Sequence, residues 1–389
     1  MNRADPSEVI ALAKQLISIE SHKEVPDREI AIGRFLAEWF RKRGVHAQLA
    51  PVADGRANVI ARVSGRVGPT VLLNGHIDTV PAGNMQSAFT PTVADGILRG
   101  RGACDMKGAV AAMCCTVAAI ASAGAVLEGD LLFAGTVDEE TGGLGVKALV
   151  RSGLQADYAI VGEPTCLRVA IGHKGSCFVR VTLYGKGAHG SCPEKGVSAV
   201  SAAARLVRLL EEELAPRLVQ RIDPLLGQST VSVGRVCGGT QPNIVAEQCE
   251  IDIDRRTLPG EDDALSELRA IVDGLCQGVP GLSYEIREMA MTATVPHVAL
   301  STPPDAPIAV AAVQSAQALG LPDEPIGVTY WTDGGHLAAN GIQTIVLGPG
   351  DIADAHGPND RVAVEDLTRA SELYAGIVDR LIGRKKESG

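Results

Sequence analysis

The chain carries histidine and carboxylate side chains in five short motifs, which we place at the ends of apolar, strand-like runs. These two ligand types suit zinc, cobalt or manganese, and the nine cysteines include no Cys-x-x-Cys pair of the zinc-ribbon kind. A group of two histidines and several carboxylates is suited to binding two divalent metal ions that share one carboxylate. The candidate groups are His76 with Asp78 in GHID, Asp105 in GRGACDMKG, Glu139 and Glu140 in DEETGG, Glu163 in GEPT, and His356 in DAHGPND.

Spacing within these motifs suggests different tasks for neighbouring residues. His76 and Asp78 are two apart in a predicted strand, so Asp78 can orient a metal-bound imidazole; the alternative is a surface histidine beside an acid. Glu139 and Glu140 are adjacent and should point to opposite sides of an extended chain, so that one binds metal and the other handles protons. A solvated acidic turn is the alternative there, and a helix N-cap is the alternative for Asp105.

The elements that must position these residues are strands alternating with helices, a pattern that predicts an α/β sheet. Ligands bind in the crevice at the carboxyl ends of strands in such sheets, so the motifs can converge there. Between 173 and 287 the order changes to strand, helix, strand, strand, helix, strand. We therefore expect an α/β fold whose catalytic domain, with a mixed sheet, comprises 1–172 and 288–389 and is interrupted by an inserted ferredoxin-like domain at 173–287. Predicted helices include 108–124, 196–213, 262–276, 307–319 and 364–382.

Composition narrows the class of partner. The 389 residues include 36 Lys and Arg against 46 Asp and Glu, a net charge of −10 that disfavours nucleic acid as a partner. The uncharged run 108–127 has the length of a membrane span but consists mostly of small residues, so we expect a buried helix and no membrane association. A polar N-terminus and an odd number of cysteines predict reduced thiols and a cytoplasmic protein.

Taken together, the runs GHIDTVP, GRGACDMKG, DEETGG, GEPT and DAHGPND resemble the M20 metallopeptidase family, which includes acetylornithine deacetylase, succinyl-diaminopimelate desuccinylase, aminoacylase and glutamate carboxypeptidase. The resemblance extends in order over nearly the whole chain. It implies that His76 and Glu163 hold one metal ion, that Glu140 and His356 hold the other, and that Asp105 bridges them. It also implies that Glu139 is the general base, that Asp78 orients His76, and that the peptide bond after Asp105 is cis.

The inserted domain carries two further segments that resemble the family. GKGAHGSCPEKGVSA is similar to the loop of a lid and dimerisation domain, in which a histidine, here His189, reaches the other subunit's active site and stabilises the oxyanion. GGTQPNIVAEQCEIDIDRRTLPG resembles the segment that supplies a substrate-binding asparagine and arginine, here Asn243 and Arg256. Arg255 is an adjacent competitor that should face the other way on a strand. The resemblance thus implies a homodimer.

Two alternatives from other classes stay open at this point. Gly185 to Gly190 formally satisfies G-x-G-x-x-G, the phosphate-binding loop of a nicotinamide-dependent oxidoreductase, although no helix is predicted directly after it. A metal-binding protein without catalytic activity is the other alternative. The expectation that the resemblance favours is a zinc-dependent amidohydrolase, with cobalt or manganese as other metals, that cleaves an N-acyl amino acid or small peptide. Within the family, DIDRRTLPG and LGPGDIADAHGPND look more like acetylornithine deacetylase than like the dipeptidases; desuccinylase, general aminoacylase and glutamate carboxypeptidase remain alternatives.

Overall fold

The computed structural model describes residues 3–53, 55–124 and 126–383, and the chain forms two compact units. The first unit comprises the described residues up to His173, Leu300–Val328, and those from Thr332 onward. The second comprises Lys174–Ala299 and Thr329–Trp331. We placed the second domain boundary at 287, but the second unit continues to Ala299 because its closing segment is bonded to its first strand: Met289 N donates to Phe178 O over 2.7 Å, and Ser176 N donates to His297 O over 3.0 Å.

The main sheet of the first unit is mixed, as predicted. Its four central strands, Leu131–Thr136, Val71–His76, Tyr158–Val161 and Gln343–Val346, are parallel, so their carboxyl ends lie at one edge. Antiparallel strands extend the sheet on both sides. Within the described residues it has nine strands, in the order His46–Ala53, Arg56–Val63, Leu131–Thr136, Val71–His76, Tyr158–Val161, Gln343–Val346, Ala170–His173 and Leu300–Ser301, with Ile326–Val328 also pairing Ala170–His173.

Helices surround this sheet. The most buried is Lys107–Ser122, whose small residues allow close packing on nearly every side. An ideal Cβ at Gly75 would lie 2.7 Å from Met106 Cε, so glycine lets the start of this helix approach the central strand. Among residues 3–53, 55–124 and 126–383 we find no helix with the length and apolarity to span a bilayer. The other helices are Pro6–Ile17, Ile30–Arg41, Leu144–Arg151, Pro307–Ala318, Gly334–Ala339 and Val364–Ile382, and a small sheet pairs Arg361–Ala363, Ile97–Arg99 and Thr92–Ala94.

The second unit has the predicted order of elements. Its antiparallel sheet runs Thr230–Gly238, Gln248–Thr257, Gly175–Tyr184, Ser283–Glu288, the arrangement of a ferredoxin-like fold. Alternate residues of Gln248–Thr257 are buried, and Ile251 and Ile253 share a core with Leu206 and Val272 of the two helices. Those helices are Ala199–Leu209, continued by a π-helical segment Leu210–Leu214 and Ala215–Leu218, and Ala264–Gln277; shorter elements are Pro193–Lys195, Ile222–Asp223, Gly227–Gln228 and Ala290–Ala293.

Candidate metal centre

The four parallel strands bring the predicted ligands to one edge of the sheet. His76 is the last residue of its strand and pairs in register with Thr136. Glu139 and Glu140 follow the strand that ends at Thr136, and Glu163 follows Tyr158–Val161 by two residues. His356 comes after the fourth strand and a short turn, Ile352–Asp354.

Asp105 lies between the two imidazoles. His76 Nε2 is 2.9 Å from Asp105 Oδ1 and 3.5 Å from Glu163 Oε1. His356 Nε2 is 3.1 Å from Asp105 Oδ2 and 3.0 Å from Glu140 Oε2. One carboxylate therefore offers a different oxygen to each half of the centre. The Asp105–Met106 peptide bond is cis, as the resemblance implied.

Ligand-capable atoms form two overlapping groups, each within 4.8 Å: His76, Glu139 and Glu163, and His76, Asp105 and Glu140. The side chains of His76, Glu140 and Glu163 are almost fully buried. The side chain of His356 is 53% exposed, so the centre has a buried and an open half.

The backbone of Glu139 and Glu140 differs from our expectation. We expected an extended chain, but these residues form a turn. Asp138 adopts a left-handed conformation at φ 71°, and its carbonyl oxygen accepts hydrogen bonds from Gly142 and Gly143 over 2.9 and 2.6 Å. The two glutamates still differ in surroundings, because Glu139 lies with Glu163, and Glu140 lies with Asp105.

Asp78 lies beside the His76 ring and also contacts the glutamate turn. His76 Nδ1 lies 3.0 Å from the backbone carbonyl oxygen of Asp78 and 3.6 Å from its carboxylate. The carboxylate also accepts the backbone N–H groups of Glu139 and Glu140, over 3.2 and 3.1 Å. Asp78 thus contacts the ring through its main chain and the glutamate turn through its side chain.

Sequence reasoning missed a buried ion-pair network behind this turn. Arg56 donates to Asp138 over 2.7 Å and to both oxygens of Glu29 over 2.8 and 2.5 Å. Burial outweighs the guanidinium and raises the pKa of Glu29. Neither Glu29 nor Arg56 lies in a motif, so only their distance in the fold reveals the network.

Asp333, in the run YWTDGGH, was also missed. It is buried and accepts a hydrogen bond from Thr136 Oγ1 over 2.7 Å, at the end of the strand that leads to Glu139. Burial raises the pKa of Asp333 to about 7.

Crowded carboxylates set the electrostatics of the centre. Burial and then the nearby Glu163 raise the pKa of Glu139 well above its usual value, and burial and Asp105 do the same for the pKa of Glu163. Burial would raise the pKa of Asp105 too, but hydrogen bonds from His356 and His76 bring it well below its usual range. Hydrogen bonds to Asp105 and Glu140 raise the pKa of His356 to about 10.

This donor set fits divalent metal ions. Buried carboxylates at such distances need positive charge beside them, and in this arrangement protonated imidazoles are the charges closest to Asp105. A divalent cation would provide that charge while leaving the imidazoles neutral, the form in which histidine binds metal.

The second unit presents the remaining predicted residues. His189 forms an isolated β-bridge with Ile244, and Gly190 N donates to Asn243 O over 2.7 Å. His189 and Asn243 therefore belong to adjoining segments, and both side chains are exposed. His189 Nδ1 lies 2.7 Å from Ser191 Oγ.

The adjacent arginines point to opposite faces of their strand. Arg256 is 31% exposed and pairs with Asp254 over 2.9 Å. Arg255 is fully buried and contacts Glu261 and Glu267 over 3.3 and 3.4 Å. The guanidinium of Arg256 therefore reaches the surface, whereas that of Arg255 does not.

The glycine loop lacks the parallel strand and the adjoining helix of a dinucleotide-binding loop. Its strand lies in an antiparallel sheet, and the next α-helix begins only at Ala199. An ideal Cβ at Gly187 would lie 2.2 Å from Glu247 Oε1, and one at Gly190 would lie 2.9 Å from the backbone of Asn243. These two glycines therefore allow close packing of Glu247 and Asn243 against the loop, and no helix N-terminus follows the loop directly, as a pyrophosphate site would need.

Comparison with known proteins gives consistent matches over nearly the whole chain. A family model, Peptidase family M20/M25/M40, matches residues 72–380. A peptidase M20 domain-containing protein from Schizosaccharomyces pombe is 31% identical over 377 residues, covering 95% of this chain and 84% of the relative. An acetylornithine deacetylase from Myxococcus xanthus is 34% identical over 326 residues, 82% of each chain. The crystal structure of aminopeptidase PepT from Bacillus cereus has a TM-score of 0.81 at 23% identity, covering 97% of this chain and 99% of that one.

Proposed function

The chain belongs to peptidase family M20/M25/M40, whose members hydrolyse amide bonds, and we propose that it is a di-metal amidohydrolase acting on an N-acyl amino acid. One observation carries the proposal: Asp105 lies between His76 and His356 at the carboxyl edge of four parallel strands, with Glu140 and Glu163 beside them. The products are a free amino acid and a carboxylate.

Five residues would hold the metal ions. We assign His76 and Glu163 to one ion, Glu140 and His356 to the other, and Asp105 to both, with zinc as the metal and cobalt or manganese as alternatives. The contacts of Asp105 with both imidazoles, one through each oxygen, support this division. When bound, the ions would activate water and polarise the amide carbonyl.

Glu139 is the general base in this proposal. It takes a proton from the attacking water and returns it to the leaving nitrogen. Its backbone N–H is held by Asp78, and its carboxylate lies near Glu163 and His76 in a largely buried environment. Burial of this kind favours proton uptake, which a base must complete before it can protonate the leaving group.

The second unit supplies substrate contacts and a dimer interface in this proposal. His189 would stabilise the oxyanion in the active site of the partner subunit, and Asn243 and Arg256 would bind the substrate. The fork of Arg256 suits a free carboxylate, which every N-acyl amino acid carries. An open edge strand, Thr230–Gly238, and exposed apolar side chains at Val200 and Val236 support pairing of two copies through this unit.

For the substrate we propose N-acetylornithine. The Myxococcus xanthus relative, an acetylornithine deacetylase, supports this choice. A succinylated diamino acid or a peptide ending in glutamate is the alternative, and the likeness to an aminopeptidase structure shows the fold alone. A panel of N-acetyl, N-succinyl and peptide substrates ranks these by kcat/KM.

The first test combines metal content with a substitution of the base. Wild-type protein dialysed against dilute zinc should hold two ions per chain and hydrolyse N-acetylornithine. Glu139→Gln should keep both ions and lose about 100-fold to 10,000-fold in kcat. Glu38→Gln, on an exposed helix surface, is the matched control and should keep the metal content and the kcat of the wild type. Near-normal turnover of Glu139→Gln would remove Glu139 from the mechanism, and a chain without bound metal would remove the proposal.

Mixing two inactive variants tests the shared site. In a heterodimer of Glu139→Gln and His189→Ala, one of the two sites has an intact Glu139 and receives an intact His189 from the partner. Random exchange makes half of the dimers mixed, so the mixture should recover about a quarter of wild-type activity. A mixture no more active than the mean of its parents would place His189 outside the partner's active site.

A further inference from the structure

We propose that the buried ion pair Arg101–Asp360 positions ligand loops of the metal centre: Arg101 acts on His356 in the open half, and Asp360 acts on the loop of Asp105, the residue assigned to both ions. This inference rests on the proposed function, because it takes His356 and Asp105 as metal ligands. Both residues lie inside motifs of the sequence, but neither was given a role.

The pair is unusually buried for two charged groups. The side chains of Arg101 and Asp360 are 2% and 1% exposed, and Nη1 lies 3.0 Å from Oδ2. Removing two charges from water is costly, and the pair alone seldom offsets that cost. What each partner does with its remaining hydrogen-bonding atoms is therefore informative.

Asp360 binds the loop that leads to Asp105. Its Oδ2 accepts the N–H of Gly102 over 2.7 Å, and its Oδ1 accepts the N–H of Cys104 over 2.9 Å. Its main-chain carbonyl oxygen accepts the N–H of Gly100 over 3.1 Å. One residue thus holds three backbone amides within the five residues before Asp105.

Arg101 binds the segment that carries His356. Its Nη2 donates to the carbonyl oxygens of His356 and Gly357 over 3.3 and 3.1 Å. Its Nε and Nη2 also donate to Pro81 and Ala82, over 3.2 and 3.3 Å, a few residues after Asp78. The guanidinium therefore joins the loops that follow two different strands of the sheet.

His356 needs such support. Its backbone has φ 59°, in the left-handed region that residues other than glycine seldom adopt, and its side chain is half-exposed. No strand ladder holds it, since its nearest described element is the turn Ile352–Asp354. A planar guanidinium with several fixed donors can hold carbonyl groups from separate segments at once, whereas the lysine ammonium is a single point charge.

This arrangement predicts an asymmetric effect. Arg101 contacts the His356 segment directly, whereas His76 sits at the end of a strand that is paired on both sides. Loss of the guanidinium should therefore weaken the ion assigned to Glu140 and His356 and spare the ion assigned to His76 and Glu163. The size expected for removing a group that orients a metal ligand is about 10-fold to 100-fold in affinity.

The test is calorimetric titration of Zn²⁺ into metal-free wild type, Arg101→Met and Arg101→Lys, with thermal unfolding measured alongside. We expect two binding events in the wild type, and in both variants one event near wild-type affinity and one weakened about 10-fold to 100-fold. Thr116→Val is the control, because Thr116 is buried and donates to Ala112 and Ser371 away from the centre. It should lose stability and keep both affinities.

Each outcome separates this inference from the proposed function. Two unchanged events in the Arg101 variants, or two events weakened equally, would overturn the positioning role while leaving the di-metal assignment in place. Wild-type protein that does not bind two zinc ions would overturn the proposed function itself. Arg101→Lys keeps the buried charge, so it provides the measurement even where Arg101→Met does not fold.

Discussion

The two halves of the metal centre are built in different ways. His76 ends a strand with a parallel neighbour on each side, and it is almost fully buried together with Glu163. His356 lies in a loop with a left-handed backbone, and half of its side chain is exposed. Asp105 contacts both imidazoles and so connects the two constructions.

The difference shows two sources of precision in one site. In the buried half a backbone ladder holds His76, because its strand pairs in register with the neighbouring strand as far as Thr136, and Glu163 follows a strand of the same sheet. Side chains from distant segments hold the open half: the guanidinium of Arg101 for His356 and the carboxylate of Asp78 for the glutamate turn. We therefore expect the two halves to respond differently when single side chains are substituted.

The largest effect should come from the histidines themselves. His356→Ala should leave about one zinc ion per chain, because the buried half keeps His76, Glu163 and Asp105. His76→Ala should leave less, since the half that remains depends on His356, whose side chain is half-exposed and lies in a loop. Both variants should lose catalysis by orders of magnitude. Metal analysis after dialysis checks this, and equal loss of metal from the two variants would contradict the division into halves.

Asp78→Asn should have the next largest effect. The carboxylate accepts two consecutive N–H groups through its two oxygens, and an amide can accept only through one. The turn that carries Glu139 and Glu140 should loosen, lowering kcat about 10-fold to 100-fold. Steady-state kinetics at saturating zinc measure this. Asp130→Asn is the control, because Asp130 precedes the opposite end of the strand Leu131–Thr136. A fall in both variants alike would show a general loss of stability.

The smallest effect concerns protons. Without metal, hydrogen bonds to Asp105 and Glu140 raise the pKa of His356 to about 10, so the imidazole is protonated at pH 8. Zinc binds the neutral ring, so binding at pH 8 should release a proton from His356, and affinity should rise with pH up to about 10. Calorimetry in buffers with different heats of ionisation counts the protons. His356→Gln should release one fewer, and an unchanged count would contradict this source.

The same pKa has a consequence for stability. The pKa of His356 is raised in the metal-free fold, so the interactions of its protonated ring stabilise that fold. This contribution is complete at pH values below the pKa of the unfolded chain, near 6.5, and it is lost as the pH rises through about 10. Metal-free protein should therefore lose more stability than zinc-loaded protein between pH 7 and 10, as thermal unfolding would show.

Much of the architecture was predictable because hydrophobic periodicity is a local property. The helix Val364–Ile382 has the bounds predicted for it, and the strand and helix order of the second unit is the one expected. The convergence of the motifs at the sheet edge also followed, because parallel strands end on the same side.

Contacts between distant segments were not predictable. The turn at Glu139 depends on the left-handed backbone conformation of Asp138, and the neighbouring residues in the sequence do not predict that conformation. The groups that the Asp78 carboxylate binds are backbone N–H groups some sixty residues further along the chain. Arg56 begins the strand Arg56–Val63 and binds Glu29 and Asp138, which lie in two other segments. Hydrophobic periodicity does not predict such pairs, because each of the two residues lies in a local sequence pattern that is compatible with many folds.

The sequence by itself determined the ligand types, their places after strands and the two-domain order, because side-chain chemistry and periodicity are carried by consecutive residues. Only the tertiary structure decided that Asp105 lies between two imidazoles, that Asp78 faces the glutamate turn, and that Arg101 and Asp360 hold the loops. The reason is physical: hydrogen bonds and ion pairs depend on distances of about 3 Å, and packing sets those distances between segments that are 29 to 259 residues apart in the chain.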